Sequence, residues 1–159
     1  MVVVSNSSPI IHLTKIDQLH LLEKLFGQII IPQKVFHECT VSKRYRDEVK
    51  IIINQSWINK KNIHDVRLYK LLHSEIDAGE AEALILALET EADLVLLDDQ
   101  EARIKARKLE LPVTGTIGVL LKAKNRGMIE SFKDSIQKLQ TSGFRISQDF
   151  FDNLISQYS

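Results

Sequence analysis

Apolar residues along this chain fall into two alternating patterns, short unbroken runs and stripes at helical spacing. The runs are Val2, Val3 and Val4; Ile29, Ile30 and Ile31; and Leu94, Val95, Leu96 and Leu97. Each is too short for a helix and is bounded by polar or turn residues, the pattern of a strand buried on both faces of a parallel sheet. Leu111, Pro112 and Val113 predict a briefer strand. Between the runs lie the helical stripes. Ser5 to Pro9 supply capping and turn residues before Ile10, Ile11 and Leu13. Leu19, Leu22, Leu25 and Phe26 predict a short amphipathic helix closed by Gly27. Pro32 suits the first turn of a helix whose core side carries Val35, Phe36 and Cys39. Residues 79–89 are rich in Ala and Leu, and Asp77 with Glu80 has capping-box spacing, so a helix begins near Ala78. A helix over 99–109 carries its basic residues late, as the helix dipole prefers. Others follow Thr114, Gly115 and Thr116, run through Phe132, Ile136 and Leu139, and end the chain through Phe150, Phe151, Leu154 and Ile155. Residues 40–75 predict one or two helices or a short strand.

This alternation predicts an α/β fold, a three-layer sandwich with a small central parallel sheet flanked by helices. At 159 residues it reads as a single domain over 1–159, with C-terminal helices at about 130–157 packing on the core or on a dimer partner.

The sequence between residues 77 and 99 carries the first functional step. From Glu82 to Thr90 a helix rises roughly 12 Å at 1.5 Å per residue, and from Leu94 to Asp98 a strand returns roughly 13 Å at 3.3 Å per residue. Packed antiparallel, the two bring Glu80 and Glu82 to the sheet edge where Asp98 and Asp99 end the strand, the edge where open α/β sheets bind ligands. No Lys or Arg occurs from residue 71 to residue 102, so a divalent metal is the natural neutraliser of these acids. Asn6 follows the first strand and reaches the same kind of edge. Glu38 lies near the apolar face of its helix and needs a partner: either a basic side chain or the acidic pocket, as a further metal ligand. His12 and His37 have no partner at metal-ligand spacing and are read as core or surface residues. Thr116, at a strand-to-helix turn, either caps its helix or helps to hold a phosphate.

Composition adds limits. The apolar share of 44% and charged share of 26% are those of a soluble globular protein. Cys39 is the one cysteine, which excludes an internal disulfide framework and favours a reducing cytoplasm. No apolar run approaches a membrane span, and the first residues lack the charged front of a signal peptide. Net charge is zero, but basic residues at 43–70 and 103–126 flank the acidic middle. Such a rim suits a polyanion, although scattered Lys and Arg are commonly solvated helix faces.

Asn6 with Ser7, Ser8 and Pro9; Pro32 through Glu38; Gly79, Glu80 and Glu82; Asp98 through Arg103; and Thr114, Gly115 and Thr116 together resemble the PIN domain superfamily, in particular its VapC-like branch. The resemblance spans residue 2 to about residue 155. It implies a PIN-like fold and metal-dependent RNA cleavage by an acidic site that falls on Asn6, Glu38, Glu82 and Asp98. Glu80 competes with Glu82 and is placed second because its capping-box spacing offers a structural role. Asp99 rivals Asp98. Glu38, Glu82, Asp98 and Asp99 are thus the catalytic candidates, Asn6, Glu38, Glu80, Glu82 and Asp98 the ligands of Mg2+ or Mn2+, and Thr116 and Arg103 candidate substrate contacts or supports. The family has Asp where this chain has Asn6; an amide oxygen can ligate a metal but brings no charge and cannot act as a base, so metal affinity is expected to fall.

The resulting expectation is a metal-dependent endoribonuclease, the toxin of a toxin–antitoxin pair. Its partners would be RNA, a small antitoxin protein and a second copy in a homodimer, with no membrane. The alternative is a catalytically silent PIN-like module that binds RNA or protein. A phosphoacceptor receiver domain is disfavoured because Thr114, Gly115 and Thr116 stand where such a site wants Lys.

Overall fold

The computed structural model describes residues 1–158. Five strands form one parallel sheet: β1 (Val3–Ser5), β2 (Ile29–Ile31), β3 (Ile58–Lys60), β4 (Leu94–Leu96) and β5 (Val113–Thr114), in the order β3-β2-β1-β4-β5. Helices α1 (Ser7–Lys15) and α2 (His20–Phe26) join β1 to β2, and α3 (Gln33–Thr40) and α4 (Arg46–Ile52) join β2 to β3. Helices α5 (Val66–His73) and α6 (Ala78–Glu89) then carry the chain to β4. Helix α7 (Gln100–Lys108) precedes β5, and α8 (Thr116–Asn125), α9 (Phe132–Thr141) and α10 (Gln148–Tyr158) complete the described chain.

Alternation along the strands divides the apolar residues between two cores. Val3, Ile29, Ile31 and Leu96 belong to one, with the buried faces of α1, α2, α8, α9 and α10. Val4, Val95 and Leu97 belong to the other, with α6 and α7. Strands covered on both faces by helices are the reason the runs are continuously apolar. Phe132, Ile136, Leu139, Phe151 and Leu154 of the last two helices are buried in the first core, so that apolar surface packs on this chain itself. Among the described residues no helix is long and apolar enough to cross a membrane.

Helix α6 is apolar nearly all round because it is buried nearly all round: Ala81, Ala83, Leu84, Ile85, Leu86 and Ala87 are all within the core. Alanines on two sides let it pack against α3, α5, α7 and the sheet together. It starts at the capping box read from the sequence, with Asp77 accepting from the Glu80 backbone and Glu80 from the Asp77 backbone.

Several boundaries differ from the sequence expectation. Strand β1 is shifted by one residue because Ser5 still pairs with Leu96. Pro32 is the N-cap of α3, in extended backbone, rather than a residue of its first turn. Strand β5 is Val113–Thr114 rather than 111–113, since Thr114 pairs with Leu96. The less legible stretch 40–75 holds two helices and a strand.

The strand order matters for function. From β1 the chain adds β2 and β3 on one side and then crosses to place β4 and β5 on the other. Strands β1 and β4 are neighbours whose connections leave in opposite directions, the switch point where such sheets open a crevice at their carboxyl ends. Asn6 ends β1 and Asp98 follows β4, and the Asn6 backbone N–H donates to Leu96 O at 3.0 Å.

Candidate active site

Asn6 occupies the N-cap position of α1, where its residue type is favoured for accepting a hydrogen bond from the first turn. It makes no such bond. Its side chain is turned inward instead: Asn6 is 5% exposed, and its Oδ1 is buried without a hydrogen-bond partner among the described residues. A buried acceptor left in this way costs free energy unless a donor or cation supplies what is missing.

Glu38 reaches the same place from α3. Its Oε2 accepts a hydrogen bond from the Ser7 hydroxyl at 2.6 Å. Its Oε1 and the Asn6 Oδ1 both close on Gly79, in the first turn of α6. A Cβ at residue 79 would lie 2.6 Å from Glu38 Oε1 and 3.3 Å from Asn6 Oδ1. Glycine here leaves room for two oxygens that a methyl group would displace.

Asp98 is the best-held acid of the group. Oδ1 accepts from the Thr116 backbone N–H at 2.7 Å, and Oδ2 accepts from the Thr116 and Ser8 hydroxyls at 2.7 Å each. Asp98 therefore caps α8, whose own N-cap residue is Gly115 and brings no side chain. A Cβ at Gly115 would lie 2.7 Å from Asp98 Oδ1 and 3.2 Å from Arg103 Nη1, so Asp98 and Arg103 both approach this turn closely. Arg103 Nε is buried without a hydrogen-bond partner among the described residues.

The two glutamates of α6 part company. Glu80 is buried and lines a cleft of about 420 Å³ with Asn6, Asp77, Asp98 and Asp99. Burial first, then the carboxylates of Asp77 and Asp99, push its carboxyl up to about 8. Glu82 does not line that cleft. Its Oε1 accepts from the Lys34 backbone N–H at 3.0 Å, so it caps the neighbouring helix α3. Asp99 caps its own helix, α7, through the Ala102 N–H while still lining the cleft.

Other residues enter that sequence reasoning did not assign to the site. Ser7 and Ser8 orient Glu38 and Asp98. His12, read as a core or surface residue, lines the cleft, with its ring edge-on to Phe144 at 5.0 Å between centroids. Burial pushes its imidazole below the ordinary range against the pull of Asp98, so it favours the neutral form. Arg145, between α9 and α10, is the one basic side chain besides His12 along this cleft among the described residues. Its position on a distant loop leaves no trace in local spacing. The Ser7-Ser8 pair was legible only as capping chemistry.

Asn6, Glu38, Glu80 and Asp98 are hard oxygen donors suited to a magnesium-type cation. The unpartnered Asn6 oxygen and the mutual repulsion of Asp77, Glu80 and Asp99 both fit a cation at this edge. The only ion pair found among the described residues, Lys105 with Glu75, lies outside the cleft lining. The side chains are not drawn into a closed shell: among the described residues no three acidic, His or Cys side chains are grouped closely enough to hold a metal.

A protein-family model for a PIN domain matches residues 2–159, and the chain belongs to that family. No curated protein matches it. PIN domains are generally nucleases that use divalent metal ions.

Proposed function

We propose that this protein is a divalent-metal-dependent endoribonuclease. The observation that supports this most directly is the buried, unpartnered Asn6 Oδ1 beside Glu38 Oε1, over a glycine, at the sheet's switch point. Asn6, Glu38, Glu80 and Asp98 would hold the metal. In this reading Glu80 takes the position that the family resemblance assigned first to Glu82, because Glu80 lines the cleft and Glu82 caps α3. When bound, the cation supplies an acidified water and offsets charge on the scissile phosphate.

The chain's own groups do the rest. Ser7 and Ser8 fix Glu38 and Asp98, and Thr116 fixes Asp98 from the other side. Glu80, whose carboxyl is pushed up to about 8 by burial and by Asp77 and Asp99, can exchange a proton with the cleft when it is not ligating the cation. Arg145 is placed to meet a phosphate entering the cleft. The toxin role, the antitoxin partner and the homodimer are extensions supported by the VapC-like resemblance, and the cytoplasmic setting is one supported by the single cysteine. Co-purification with a small neighbouring-gene product and the mass of the free protein in solution test them.

A second reading is favoured by the absence of a closed ligand group among the described residues and by Asn6 itself. It is a silent PIN module that retains the fold and binds RNA or protein. Manganese titration by calorimetry and cleavage of a mixed RNA pool, on wild type, Asp98→Asn and Asn6→Asp, separate the two. The nuclease reading expects wild type to bind and cut, with both lost in Asp98→Asn. Wild type inert and Asn6→Asp active would overturn it in favour of the silent module.

A further inference from the structure

A second cleft, of about 460 Å³, adjoins the acidic one and is lined by Ile11, His37, Glu38, Val41 and Tyr45, among others. The two share Ser7, Ser8 and His12. A chain passing from one to the other therefore crosses the residues that hold Glu38 and Asp98. The volume falls in the range that seats a small planar ligand. Its wall is mixed in a particular way. Ile11 is buried, Val41 is an exposed apolar side chain, and Tyr45 is partly exposed. Two cations sit over that ring, Lys15 Nζ at 5.2 Å and Arg44 Cζ at 5.3 Å from its centroid.

An aromatic ring, apolar flanks and two exposed cations together make a stacking platform with phosphate contacts beside it. We propose that this cleft seats an unpaired base of the RNA, stacked on Tyr45, with Lys15 and Arg44 on the flanking phosphates. Only an unpaired base can enter the cleft and stack on the ring. An exposed cation over an aromatic ring is worth about two- to five-fold in an equilibrium constant. Stacking of a base is worth about five- to a hundred-fold. A base therefore displaces one cation from the ring, and the freed cation meets the phosphate. This subsite rests on the nuclease reading above.

The test is binding of a labelled single-stranded RNA followed by anisotropy, with metal chelated so that nothing is cut. Tyr45→Ala is expected to weaken binding about ten-fold, and Tyr45→Phe to stay within about two-fold of wild type. An oligonucleotide carrying abasic positions should no longer distinguish wild type from Tyr45→Ala. Equal binding of intact RNA by wild type and Tyr45→Ala overturns the subsite, as does an equal loss on abasic RNA. Circular dichroism of both variants excludes unfolding as the cause of a loss. Parallel assays with manganese separate the two claims. Cleavage without Tyr45 dependence retains the nuclease and removes the subsite. Tyr45-dependent binding without cleavage does the reverse. Wild type that binds no RNA removes both.

Discussion

Asp98 and Glu80 stand at the same edge of the sheet and are held in opposite ways. Asp98 receives three hydrogen bonds, two from Thr116 and one from Ser8. Glu80 receives one long one, from the Asp77 backbone at 3.3 Å, and faces two further carboxylates. One acid is fixed in position by donors; the other is crowded by its own kind. A site built this way joins a rigid acceptor to a group that keeps its proton to a higher pH than an ordinary carboxyl. The fold achieves it by making Asp98 the cap of a helix that has glycine at its own cap position, and by burying Glu80 inside a capping box.

The largest effect comes from breaking the fixed half. Asp98→Ala leaves the Thr116 N–H and two hydroxyls without their acceptor, and Thr116 is fully buried. The expected cost is about 2–4 kcal/mol of stability in urea unfolding, with RNA cleavage lost. Retention of wild-type stability would show that these hydrogen bonds do not anchor the edge. Gly79→Ala separates chemistry from folding. The new methyl meets the ends of Glu38 and Asn6, and the helix gains up to about 1 kcal/mol of propensity. Stability should change by no more than about 1 kcal/mol while cleavage falls at least about ten-fold. Unchanged cleavage would argue that Glu38 and Asn6 need not converge there.

The crowded half is sharpened by pH. Glu80 titrates at about 8 in the fold and near 4.5 when unperturbed. Between those values the folded protein holds a proton that the unfolded chain has released, so this group makes stability fall as pH rises from about 4.5 to about 8. Glu80→Gln should flatten that slope in a series of thermal melts, and a slope unchanged in the variant would assign it elsewhere. The smallest effect belongs to Glu82. Glu82→Ala removes the cap on α3 and should cost about 0.5–1 kcal/mol, with cleavage within about two-fold of wild type. A ten-fold loss of cleavage at preserved stability would return Glu82 to the site.

The frame of this site was readable in the sequence because it depends on short-range pattern. Three apolar runs, a capping box and a matched helix and strand length are enough to bring residues near 80 and 98 to one edge. The choice between Glu80 and Glu82 was not readable. Capping-box spacing gave Glu80 a structural role, yet a capping carboxylate can also face a cleft, as Asp99 does. What removes Glu82 from the cleft is the start of α3, some fifty residues earlier, and no local window contains it. Arg145 and Tyr45 escaped for the same reason: each lies on a loop brought in by tertiary packing. Asn6 was noticed as a departure from family chemistry, but that its oxygen forgoes the cap and stays unpartnered is visible only in three dimensions.

The pairing of β1 with β4 has a consequence for how the protein comes into being. Val3, Val4 and Ser5 find their neighbours at Leu94, Val95 and Leu96, so during synthesis β1 waits for about ninety further residues before that side of it is covered. Asn6 and Asp98 meet only at that moment, and Asp98 gains its backbone donor only when Thr116 follows. Contacts so distant in sequence slow folding. During synthesis the growing polypeptide carries Asn6 and Glu38 without a centre until β4 and then the start of α8 have followed.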